Sequence, residues 1–90
     1  MRVLVFGRVR CRRTQGVLVR LRDWILKSGL EGGVALEFVD LDTTAGLAEA
    51  AYRQLGGRLP AVVVEASAGS PGWSRLVRDH PEIRLMRSLN

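Results

Sequence analysis

The stretch "GRVRCRRTQG", residues 7–16, sets the only cysteine of the chain, Cys11, among four arginines, Arg8, Arg10, Arg12 and Arg13. A thiol at the start of a helix is drawn toward its thiolate. The helix N-terminus carries roughly half a positive charge, and nearby guanidinium groups add to it. The same guanidinium groups could instead hold a carboxylate or a phosphate. Two readings of Cys11 stand at this level. It is an activated nucleophile, or a small half-buried apolar side chain that does no chemistry. The arginines likewise read as an anion-binding loop or as solvated side chains of an arginine-rich chain.

The composition narrows the alternatives. One cysteine forms no intramolecular disulfide, and a single histidine, His80, does not make a zinc site. No serine–histidine–acid set, phosphate-binding loop or dinucleotide fingerprint is present. Asp40 and Asp42 do not read as a metal pair. Asp42 is placed to cap a helix, and Asp40 to be a strand-end carboxylate. Trp24 and Trp73 read as packing groups. No bound metal or cofactor is expected.

Ninety residues, 47% apolar and 26% charged, suit one globular domain over residues 1–90. The net charge of +5 comes from 13 arginines and one lysine against nine carboxylates, and it favours anionic partners. The basic residues are spread along the chain and stacking aromatics are few, so nucleic acid is not the expected partner. The longest apolar runs, such as Ala61–Val64, are too short to cross a bilayer. The run Val3–Phe6 is also shorter than the core of an export signal, so a cytoplasmic location is expected.

Several elements are needed to position the Cys11 loop. "RVLVF", residues 2–6, is a continuous apolar run of the kind buried on both faces of a sheet. From Thr14 to Ser28, Val17, Leu18, Leu21, Trp24 and Ile25 recur at helical spacing, and Gly29 is a natural stop. "VALEFVDL" then reads as a second strand. Asp42, Thr43 and Thr44 offer capping groups for a helix over "AGLAEAAYRQL", on which Leu47, Ala51 and Leu55 share an apolar face with Ala48 and Tyr52 alongside. Pro60 opens a third strand, "PAVVVE". "WSRLV" alternates as a short fourth strand antiparallel to the third, and "HPEIRLMRSLN" reads as a terminal helix. The order is β-α-β-α-β-β-α, an α/β domain with a mixed four-stranded central sheet and flanking helices, whose first two strands lie parallel.

Taken together, "VLVFGRVRCRRTQGVLVRL", "FVDLDTTAGLAEAAYRQLG" and "RLPAVVVE" resemble the thioredoxin-like superfamily over nearly the whole chain. The resemblance implies a Cys-x-x-Cys loop after the first strand, and Cys11-Arg12-Arg13-Thr14 replaces its second cysteine with Thr14. It therefore implies a monothiol, glutaredoxin-like oxidoreductase. Cys11 is the nucleophile, Thr14 a hydrogen-bond donor to the sulfur, and Arg12, Arg13 and Arg8 the contacts for an anionic substrate. Glutathione or a thiol- or disulfide-bearing protein is the implied partner. Leu59 and a cis Pro60 form the implied docking edge. The superfamily also contains redox-inactive binding modules such as the KaiB family, which the tail "PGWSRLVRD" resembles. A partner-recruiting module is thus the second implied function.

Overall fold

The computed structural model describes residues 1–30, 32–55 and 60–65, together with Gly72, Leu76, Arg78 and Asp79. The elements follow in the order β1 (Arg2–Gly7), α1 (Arg12–Lys27), β2 (Ala35–Asp40), α2 (Thr44–Tyr52) and β3 (Ala61–Glu65). The three strands form one mixed sheet in the order β2-β1-β3. β1 pairs parallel with β2, Val5 opposite Phe38, and antiparallel with β3, Val5 opposite Val62. The parallel pairing of the first two strands is as the helical crossover requires.

β1 is the central strand, and Val3 to Gly7 are all buried. Its alternation divides the core in two. On one face Val3 and Val5 pack with Leu21 and Ile25 of α1, with Val62 and Val64, and with Leu76. On the other, Leu4 and Phe6 pack with Leu41 and Val63, and Ala50 of α2 lies against them. Helices α1 and α2 therefore cover opposite faces of the sheet. The apolar stripe of α1 is the one its sequence spacing predicts.

Helix α1 ends in a paired carbonyl cap. Gly29, at φ 67°, donates its N–H to Leu26 O and Leu30 donates to Ile25 O. A residue without Cβ is suited to that left-handed turn. The same geometry closes α2, where Gln54 N–H bonds Ala51 O and Leu55 N–H bonds Ala50 O. Here the left-handed position, φ 53°, is held by Gln54.

Three expectations are corrected. The cap of α2 is Thr43, whose Oγ1 accepts from Gly46 N at 3.0 Å, whereas Asp42 forms an ion pair with Arg8. The Thr43 hydroxyl also donates to Asp40 O at 2.7 Å, which suits it to link the strand end to the helix. Second, the inward face of α2 runs through Gly46 and Ala50, with Leu55 just beyond the helix end, and not through Leu47 and Ala51. Leu47 is 53% exposed and Tyr52 85%. Gly46 causes this, since a Cβ there would fall 1.9 Å from Asp40 O, and only a glycine lets the helix approach so closely.

Third, the fourth strand at "WSRLV" is not found at its one described residue. Leu76 is helical, as are Arg78 and Asp79, and Leu76 N–H donates to Gly72 O at 2.8 Å. Full burial of Leu76 beside α1 and the bond from Trp24 Nε1 to Asp79 Oδ2, 2.8 Å, hold this turn over the α1 face of the sheet. Among the described residues the sheet has three strands. The remainder of "WSRLV", Trp73 and the expected terminal helix with His80 lie outside the described residues.

Candidate functional site

Parallel strands β1 and β2 end side by side, and the chain leaves them toward opposite faces of the sheet. Crevices at such carboxyl ends are where α/β proteins place their ligands. Leu41 N–H donates to Gly7 O at 2.9 Å, keeping the two ends level. The Cys11 loop leaves from this point.

The loop is a tight turn. Cys11 N–H donates to Arg8 O, and Gln15 N–H donates to Cys11 O, each at 3.0 Å. Gln15 also reaches back with Nε2 to Val9 O at 2.6 Å. Cys11 thereby becomes the N-cap residue of α1, with extended φ −82° and ψ 119°. Its side chain is half-buried at the helix mouth. That is the position from which a side chain meets the first free N–H groups of a helix.

Thr14 sits at the third helical position, one turn on, and is fully buried. Its Oγ1 has no hydrogen-bond partner among the described residues. A hydroxyl in this state costs about 1–3 kcal/mol unless something satisfies it. The side chain is wedged against β1, for a Cβ on Gly7 would fall 2.3 Å from Thr14 Oγ1. Gly7 ends β1, and its close approach to Thr14 leaves no local sequence signal.

The Cys11 thiol is held below its ordinary pKa. The Thr14 hydroxyl is the largest cause, followed by the Thr14 backbone N–H; partial desolvation opposes them, and the Arg13 N–H and guanidinium add smaller contributions. No side-chain cap bond from Cys11 is formed in the structure. The hydroxyl and the N–H groups thus act on the sulfur as an oriented field, which a thiolate would convert into hydrogen bonds. The arginine cluster, the obvious candidate in the sequence, takes the lesser part.

The arginines disperse. Arg8 turns toward the start of α2 and pairs with Asp42 at 3.3 Å, both side chains about half exposed. Arg12 and Arg13 are exposed at the first turn of α1. Neither has an ion-pair partner among the described residues. Pro60 immediately precedes β3 and is half-buried. Since Ala61 lies opposite Phe6, the register brings Pro60 to the Gly7 end of β1, the end from which the Cys11 loop departs. Leu59 lies outside the described residues.

No cluster of three or more potential metal ligands occurs among the described residues, and no helix there is long and apolar enough to cross a membrane. No family model matches the chain, and neither a curated protein nor a solved structure is significantly similar to it.

Proposed function

We propose that the chain is a thioredoxin-like domain working as a monothiol thiol–disulfide exchange protein, with Cys11 as nucleophile. The observation that carries this reading is the buried Thr14 hydroxyl, without a partner among the described residues, beside the Cys11 sulfur, which gives the thiolate a ready donor. The β2-β1-β3 order, with helices on opposite faces and the thiol at the first helix start, supports the fold assignment.

The chemistry is a two-step exchange. The Cys11 thiolate attacks one sulfur of a substrate disulfide, forming a mixed disulfide and releasing the other sulfur as a thiolate. Thr14 cannot resolve the adduct, so an external thiol of the glutathione class attacks the substrate sulfur and releases Cys11 as its thiolate. The external thiol and the released substrate leave as a new disulfide, and electrons balance. Arg12 and Arg13 supply cationic contacts for the carboxylates of such a thiol, and the backbone at Leu59-Pro60 supplies an edge for the substrate. A reducing compartment such as the cytoplasm suits a thiol used in this way.

The test is the rate of iodoacetamide alkylation of Cys11 against pH, with formation of a glutathione mixed disulfide followed by mass. The expected titration midpoint lies below that of a free cysteine. A midpoint at or above about 8.5, the ordinary thiol value, overturns the reading. In that event the domain is a redox-inactive binding module, and Cys11→Ser protein would recover its partner as well as wild type does.

A further inference from the structure

The second candidate surface is the free edge of the sheet, remote in chemistry from Cys11. β2 is an edge strand, with no neighbour beyond it among the described residues. Ala35 and Leu41 turn their N–H groups inward to Met1 O and Gly7 O. In a parallel ladder the alternate residues between them, Leu36 and Phe38, therefore turn N–H and C=O toward the open side.

Beside this edge lies a groove of about 520 Å³ between β2 and α1. Leu36 and Phe38 form its floor, and Leu18, Val19 and Leu26 its wall. Val19 is 56% exposed and Leu26 59%, an apolar surface that α1 does not bury against its own core. Arg22 stands in the same lining and has no ion-pair partner among the described residues.

We propose that this edge docks an extended peptide segment of a partner protein, apolar at alternate positions and carrying a carboxylate that meets Arg22. An added strand would satisfy the outward backbone groups of Leu36 and Phe38. Every second side chain would enter the groove, the spacing that a strand imposes. Charge selects this occupant over a second copy, because each copy carries a net +5 and would bring its own Arg22 to the same lining. The proposal stands apart from the thiol chemistry, and neither depends on the other.

The experiment pans a randomised peptide library of about eight residues against the full-length protein. Enriched peptides are then measured by fluorescence anisotropy against variants. Peptides with alternating apolar residues and an Asp or Glu should be enriched. Leu26→Asp and Val19→Asp should each weaken them at least about tenfold, the scale of a lost central apolar anchor. Arg22→Glu should shift the preference from acidic to basic peptides, and Leu47→Asp, on the exposed face of α2, should leave binding unchanged. Amide resonances of Leu36 and Phe38 should move on binding. No enrichment, peptides indifferent to Leu26→Asp and Arg22→Glu, or self-association through β2 in sedimentation overturns the proposal.

Discussion

The side chain of Thr14 rests on the backbone of Gly7, so closely that a methyl group at residue 7 would fall 2.3 Å from the hydroxyl oxygen and 2.6 Å from Cγ2. This contact joins the end of the central strand to the first turn of α1 and sets where the Cys11 loop can lie. Gly7→Ala should cost about 1–3 kcal/mol, the usual range for overpacking a close-fitting site. Chemical denaturation measures it. The double variant Gly7→Ala/Thr14→Ser, which removes the γ-methyl, should recover part of the loss.

Thr14→Val separates stability from reactivity. It keeps the shape and deletes a buried hydroxyl that has no partner among the described residues. The protein should become about 1 kcal/mol more stable, because that desolvation penalty disappears. The Cys11 pKa should rise, since the largest influence lowering it is gone. Denaturation and alkylation rates on the same sample should thus move in opposite directions.

Acid should destabilise the fold through two glutamates. Glu65 is held below the usual carboxylate range, first by its hydrogen bond with Arg53 and then by the charge of Arg2; Glu37 is lowered mainly by its bond to Arg2. Depressed folded-state values mean that the stabilisation is complete above the ordinary glutamate pKa of about 4.3 and is lost as pH falls through the lowered values. The Arg53–Glu65 side chains are only 19% and 21% exposed, against 51% and 42% for Arg2–Glu37. Arg53→Gln should therefore flatten the acid limb of the urea midpoint–pH profile more than Arg2→Gln. Salt should erode mainly the Arg2 contribution.

Gln54 occupies a left-handed position that closes α2. Gln54→Gly should stabilise the protein by about 0.5–1 kcal/mol, because relief of the Cβ strain outweighs the extra freedom glycine has when unfolded. Thermal melting checks it, with Gly29→Gln as the reverse test at the end of α1.

What the sequence discloses and what it hides divide along a physical line. A continuous run of strand formers such as Val3–Phe6 suits a doubly buried strand, and the Leu21–Ile25 stripe suits one face of a helix, so β1 and α1 are legible. The rotation of α2 is not, because it depends on Gly46 meeting the Asp40 carbonyl across a loop rather than on the more hydrophobic Leu47 face. "WSRLV" alternates as a strand would, yet Leu76 is helical, its burial beside α1 deciding the matter. At the candidate site Cys11 announces itself. Thr14 reads as the missing second cysteine and, by the resemblance, as a donor to the sulfur; its full burial and its packing against Gly7 are what the sequence does not show.

The central strand has a consequence for how the thiol is reached. Val5 and Phe6 are wholly enclosed between two neighbours and two core faces, so their amide protons should exchange with solvent only when the whole domain opens. Cys11 is only five residues further along, yet it sits half-exposed on a turn. Alkylation should therefore be fast while exchange at Val5 and Phe6 stays slow, and the mixed disulfide should form on a chain that never unfolds.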